Sequence, residues 1–566
     1  MRPAPFRKVE AVSIENGAAR APRSPPSPHP RAQWVAIVVK TAESMLGVGG
    51  RVPCAEWVCP MIGRRTFLVT AGMLGAGGEL LSGPVPANGA AEPPPASSSA
   101  ALRAYERRVE AATTDRAAFR ESTDNGDAER YAAAGAIVTY AKGFERSPNG
   151  RVDREAYSSY ARAIARRDAT FLDPTVQGIN RALLEYALGD ECVIAGCDPR
   201  GIALTPAPRI ASSEQAREAV ELAWLALVRD VPFVAYDTDR LVSAAARDLG
   251  YAPQTLLRPR NREMTGPIIS QLALRDIPMG PFEGVSQRLP CYTTGIDFLV
   301  KRDEWLLVQS GNRTEKQNTH DARPRYLSNA RDLAGWVSEN EPFANAAAII
   351  DDLPDEAHAR SWLPQSQSGL LGIGSICAGV GTMYQKLVVQ RRLRPEELFG
   401  FVDDPDPAVR LDAALTASPV LDRLESKFGS RLLPQAYAGG APSWAAYPAG
   451  HAVGAGIAAT MLKANVRGEY VLADPVVPNS DGSALRPYVG TPLTLEDEID
   501  KLAYNYAYGR HAAGVHYRSD SDSGLRFGEA IALGVLRDLD AVAGSSSFGY
   551  RLRTFDGSEI TIGSPR

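Results

Sequence analysis

Beyond residue 100, apolar residues return every three or four positions with charges between them, and this periodicity points the chain to a helical fold. ALRAYERRVEAATTDRAAFRES, REAYSSYARAIARR, EQAREAVELAWLALVRDV and RLVSAAARDLG carry the pattern in the first half. NARDLAGWVSENEPFANAAAIIDDL and GTMYQKLVVQRRLRPEELFG carry it further on. Pro and Gly interrupt it from RPRNREM to QRLP, which indicates loops. GEYVLADPVV and YRLRTFDGSEITIG are β-compatible but short, so any β-structure is peripheral. The expected class is mainly α: helical bundles with long loops. No apolar run reaches the roughly 18 residues that span a bilayer. A formal charge of −4 over 566 residues gives no basic footprint for nucleic acid.

The first hundred residues read as processing sequence. Residues 1–60 are Pro-, Arg- and Ala-rich without periodicity, and are expected to be a mis-called or disordered extension. In MIGRRTFLVTAGMLGAGG, Arg64 and Arg65 precede a short apolar stretch, the pattern of a twin-arginine export signal starting at Met61. Residues 61–100 are thus the signal and a disordered spacer, and the mature protein is expected to be periplasmic or secreted. Cys54 and Cys59 would be removed with it. An oxidising compartment permits a Cys192–Cys197 disulfide, which spacing alone does not establish. The remaining chain divides into an N-terminal helical region at 101–360, a C-terminal helical region at 361–550 carrying the site, and a tail at 551–566.

Three segments carry chemistry. In KLVVQRRLRP, Lys386 and Arg394 are eight residues apart, which on a continuous helix separates them by only about 80°. Pro395 disfavours α geometry at Arg394 and loosens the helix there. By itself a basic run such as QRRLR is a solvated face. In YPAGHA, Gly450 and His451 open the helical stretch AVGAGIAATMLKA, and backbone N–H groups at a helix start beside an imidazole can seat an oxyanion. In GRHAAGVHYRSD, Arg510 and His516 would diverge by about 120° on an unbroken helix, so both can reach one ligand only if the backbone breaks, most simply at Gly514. His516 and Asp520 are four apart, so the carboxylate can orient the ring if a helix restarts there. The helix before Arg510 has a start signal at Thr494, with Asp497 three residues on. His511 is expected behind the ligands or at the surface. His29, His320 and His358 have no motif context, and SDSDSG lacks the acidic spacing of a calcium loop.

Together the segments resemble the signature shared by vanadium-dependent haloperoxidases and type 2 phosphatidic acid phosphatases: Lys…Arg-Pro, Pro-Ser-Gly-His, and Arg-x5-His-x3-Asp. The eight-residue step from Lys386 to Arg394 is similar to algal-type bromoperoxidases, as are NGDAERYAAAGAIVTYAKGFERSPNGRVDREAY, GPIISQLALRDIP, TTGIDFLVKRDEWLLVQSGN and RYLSNARDLAGWV upstream. The resemblance implies two four-helix bundles, with the pocket at one end of the C-terminal bundle, and a homo-oligomer, dimeric or larger. It implies a vanadate cofactor, with vanadium in the +5 state bound through His516. Lys386, Arg394 and Arg510 would neutralise its oxygens, the Gly450 N–H would add a donor, and His451 would act as acid–base group. Hydrogen peroxide polarised on the metal would oxidise halide to a hypohalous-acid equivalent that halogenates a small organic acceptor.

Two positions depart from the family pattern. Ala449 replaces the usual Ser, and its methyl cannot donate the hydroxyl's bond, worth about 1.5–3 kcal/mol to a charged partner. Trp444 stands where algal bromoperoxidases tend to have His; an aromatic occurs there in some chloride-oxidising relatives, and Trp444 can equally be a packing residue at the bundle mouth. Bromide is the expected halide, and chloride stays open. Two further readings stay open: an acid phosphatase with His516 as nucleophile, and a catalytically weakened vanadate- or phosphate-binding protein.

Overall fold

The computed structural model describes residues 119–176, 178–179, 181–188, 199–340, 342–359, 378–543 and 549–563, together with scattered positions between 102 and 117. The N-terminal extension, the export signal, Cys192, Cys197 and Cys377 lie outside these residues. Cys291 is a buried free thiol.

The fold is mainly helical. Six helices frame the site: α1 (Ser213–Val228), α2 (Ala330–Glu339), α3 (Pro395–Asp403), α4 (Gly450–Lys463), α5 (Leu495–Ala512) and α6 (Arg518–Ala543). Their starts follow local chemistry. Ser212 caps α1 by accepting from Gln215 N; Thr494, the start signal read from the sequence, caps α5 by accepting from Asp497 N. Glu496, Asp497 and Glu498 add negative charge at the positive end of α5. The β-structure among the described residues consists of two-stranded antiparallel pairs: Ile277–Met279 with Phe282–Val285, Val476–Pro478 with Leu485–Pro487, and Tyr550–Arg553 with Glu559–Ile562. The last hairpin follows the β-compatible sequence YRLRTFDGSEITIG and lays Tyr550, Leu552 and Ile562 against α6.

One core cluster runs from Tyr131 to Phe555, so residues on both sides of position 360 share it. At its centre is α4, which is buried nearly all round. Ala452, Ala455, Ala459 and Leu462 face the main core, while Val453, Ile457 and Met461 face α6 and the terminal hairpin. A helix apolar on every face belongs in an interior.

α4 and α6 touch through glycine. A Cβ on Gly456 would lie 2.2 Å from the Leu525 carbonyl oxygen, and one on Gly528 would lie 2.1 Å from that of Val453. Only backbone approaches this closely, and the contact fixes the distance between the helix that begins at Gly450, beside His451, and the helix that begins just after His516. Among the described residues, no helix is long and apolar enough to cross a membrane.

The expected single basic helix through Lys386 and Arg394 is not what forms. Gln385–Gln390 is a π-helical turn, Arg391 takes a left-handed conformation (φ 44°), and Arg394 is the residue capping α3 with Pro395 behind it. The break thus comes at Arg391, four residues before the proline. Nor is the basic run solvated, since Arg392 is 3 % and Arg394 0 % exposed. In α1 the polar positions Gln215, Glu218 and Glu221 are likewise buried, because arginines from distant segments meet them there.

Gly456→Ala is expected to force α4 from α6 and destabilise the protein by about 1–3 kcal/mol, read as a lower urea midpoint. An unchanged midpoint would mean that the helices can separate freely.

Candidate functional site

The site is assembled from three remote segments and the loop preceding α4. Lys386, on the π-helical turn, is fully buried, and its ammonium donates to the carbonyls of Ala445 (2.8 Å) and Ala446 (2.9 Å). Arg394 donates from Nε to the Trp444 carbonyl at 2.7 Å and from Nη1 to the Val515 carbonyl at 2.8 Å. Consecutive carbonyls of one short loop therefore hold two cations side by side.

Arg510 lies in the last turn of α5 and donates from Nη1 to the Tyr437 hydroxyl at 3.0 Å, with its guanidinium over the same ring. α5 ends at Ala512, and Gly514 turns the chain at φ 86° before α6 begins at Arg518. This is the expected break, and it brings His516 back toward the arginine. A Cβ on Gly514 would also meet the Gln435 amide at 2.9 Å, so positive φ and crowding both select glycine.

His516 sits just ahead of α6, and Asp520 lies in its first turn. Asp520 Oδ2 accepts from His516 Nδ1 at 3.0 Å and from the Tyr517 N–H at 2.9 Å. A carboxylate on Nδ1 places the proton there and leaves Nε2 as the lone-pair nitrogen. In agreement, Arg394 Nη1 lies 2.8 Å from Nε2, in position to donate.

The remaining wall is the start of α4. Tyr447–Pro448 is a cis peptide, and the Ala449 N–H donates to the Asp520 carbonyl at 2.8 Å. Ala449 caps α4 with no side-chain hydrogen bond, so the N–H groups of Gly450 and His451 have no intrahelical acceptor. The part-exposed His451 ring packs 5.4 Å from that of Tyr506.

The electrostatics tie these groups together. Burial, then Arg394, Lys386, Arg510 and His451, hold His516 well below the ordinary histidine range. Burial, then Arg510, Lys386 and Arg394, do the same to His451. Burial followed by the neighbouring arginines lowers Lys386 well below an ordinary lysine, and burial lowers Arg394 to about 10. His516, His451, Lys386 and Arg394 are thus all shifted against positive charge. Arg394 Nη2 and Arg510 Nε are buried without a partner among the described residues. An anion supplies what both observations lack.

The chain is 29 % identical to a vanadium-dependent bromoperoxidase of Ascophyllum nodosum, over 72 % of this chain and 83 % of that protein. It is 26 % identical to a vanadium-dependent bromoperoxidase of Corallina officinalis, over 75 % and 91 % respectively. Over most of its length the chain is thus similar to vanadium-dependent bromoperoxidases. No protein-family model matches it. Its fold is that of a solved homohexameric vanadate-dependent bromoperoxidase from Ascophyllum nodosum, with a TM-score of 0.73 and 22 % identity, covering 86 % of this chain and 95 % of that one.

Lys386, Arg394, Gly450, His451, Arg510 and His516 meet at one locus, with Asp520 behind His516. Trp444 enters through its backbone carbonyl, while its side chain packs against the apolar cluster that includes Tyr140 and Leu387. His511 lies behind the pocket: it is buried, stacked 4.5 Å from Tyr508, and its Nε2 bonds the Ser521 hydroxyl at 2.8 Å. His320 pairs with Glu339 and His358 with the Leu353 carbonyl, both away from the cluster. Sequence reading missed Tyr437, Gln435 and Arg392. The first two had no signal at all, since each sits in the unpatterned RLLPQAYAGG.

Burial and the nearby Arg518 keep His511 neutral in the fold, so below pH 6.5 the unfolded chain takes up a proton that the folded one refuses. Stability is therefore lost as pH falls through that value, by about 1.4 kcal/mol per pH unit per such histidine. His511→Gln should flatten the slope by that amount between pH 6.5 and 5.5 in urea melts; an unchanged slope rejects the assignment.

Proposed function

We propose that this pocket binds vanadate and that the protein is a haloperoxidase oxidising bromide with hydrogen peroxide. One observation carries this reading. Lys386, Arg394 and Arg510 gather around His516, whose Nε2 carries the ring's lone pair, and among the described residues their side-chain hydrogen bonds go to carbonyls, a ring nitrogen and a phenol, with no carboxylate paired to them. A compact oxyanion with several negative oxygens answers the deficit, and the orphaned Arg394 Nη2 and Arg510 Nε supply donors for it.

In this reading His516 Nε2 is the metal ligand, with Asp520 fixing its tautomer. The Gly450 N–H and the positive end of α4 face the oxyanion. Bound vanadate supplies a Lewis acid that activates hydrogen peroxide toward attack by halide. His451 is neutral in the positive field of the pocket and so can accept a proton from incoming peroxide, returning it as the halogenating product leaves. Bromide follows the bromoperoxidase relatives; Trp444 makes chloride the comparison to run. The fit to a phosphate-shaped oxyanion leaves phosphatase turnover as an outcome to test. Export through the twin-arginine signal and assembly into a homo-oligomer complete the proposal, the latter supported by the homohexameric solved relative.

Mature protein with orthovanadate, bromide, hydrogen peroxide and a brominatable dye should brominate only when vanadate is present. Phosphomonoester turnover inhibited by vanadate, without bromination, would replace this reading with a phosphatase. His451→Ala should lower bromination by about 10²–10⁴-fold while vanadate still binds. Ala449→Ser should tighten vanadate binding about tenfold or more if a hydroxyl reaches the charged guest; equal binding would show that no donor is needed there.

A further inference from the structure

Arg392 lies between Lys386 and Arg394 in sequence but points away from both. Its Nη1 donates to Asp520 Oδ1 at 2.6 Å and to the Ser519 hydroxyl at 2.8 Å. Its Nη2 donates to Gln215 Oε1 at 2.6 Å and to Glu218 Oε2 at 2.8 Å. The guanidinium also covers the Tyr517 ring at 4.1 Å. Glu218 in turn accepts from the Ser519 N–H at 2.6 Å and from its hydroxyl at 2.8 Å, gripping the first turn of α6. Arg392, Glu218 and Asp520 are all buried.

The division of labour on Asp520 is the informative point. Oδ1 is taken by Arg392, while Oδ2 is left to His516 Nδ1 and the Tyr517 N–H. A carboxylate free to rotate about its terminal torsion would exchange these oxygens and let the imidazole swing or change tautomer. The planar fork of arginine suits this double grip, and a lysine point charge cannot reproduce it.

We propose that Arg392 is a positioning residue of the oxyanion pocket, locking Asp520 so that His516 is held with Nδ1 protonated and Nε2 presented to the bound oxyanion. The inference rests on the vanadate reading above. It assigns to α1, through Glu218 and Gln215, a share in setting the metal ligand, although that helix contributes no group to the pocket wall.

A double-mutant cycle on orthovanadate affinity tests it, read by equilibrium dialysis of vanadium-free full-length protein with elemental analysis. Arg392→Lys keeps the buried charge and is the working variant. It should weaken vanadate binding about tenfold, within the range for a residue supporting a metal ligand, and Asp520→Asn should weaken it by at least as much. The double variant should bind no worse than Asp520→Asn alone, because both changes act through one carboxylate. Multiplying losses, or wild-type affinity in Arg392→Lys, would overturn the proposal. Should Arg392→Lys fail to fold by circular dichroism, Arg392→Gln replaces it in the cycle and is decided by the same two outcomes. Folded wild-type protein that binds no orthovanadate would instead refute the vanadate reading itself, and this inference with it.

Discussion

Unpaired positive charge, buried and held in place by backbone carbonyls, is the constraint around which the rest of this fold is arranged. Removing a cation from water costs several kcal/mol even after relaxation, and Lys386, Arg394 and Arg510 also repel one another. The carbonyls of residues 444–446 replace part of the lost hydration. That loop must then be rigid, and Lys142 makes it so: its ammonium donates to the Gly439 carbonyl at 2.8 Å and to Glu396 Oε1 at 2.9 Å. Glu396 belongs to α3, the helix that Arg394 caps, so loop and arginine share one anchor.

The sequence revealed the helices wherever apolar periodicity is local, and it revealed the pocket wherever spacing forces geometry. Arg510 and His516 could meet only across a broken helix, and Gly514 was the residue able to break it. Thr494 announced α5 through chemistry contained within four residues. The failures share a different cause. Arg392 and Glu218 look like surface charges until they meet, 174 positions apart in the chain. The π-helical turn at Gln385–Gln390 has no signature of its own; it lets Lys386 reach the loop carbonyls while Arg394 starts a new helix. Tertiary partners decide such features, and no window along the chain contains both partners.

Ala449 shows how a helix start can serve two ends. A hydroxylated residue there would offer a cap or a donor to a guest. Here the methyl is buried, and the backbone N–H of the same residue carries the structural bond, to the carbonyl of Asp520. The geometry of α4 therefore does not depend on the missing side-chain oxygen.

That single backbone bond has a wider effect. It joins the residue that launches α4 to the residue that orients His516, across 71 positions of chain, so the N–H donors and the imidazole are parts of one rigid corner. Neither half can be preassembled: a chain in which α4 and α6 have not yet met owns neither a seat nor a ligand. Loading with the inorganic guest is then an event that only a finished tertiary structure can support.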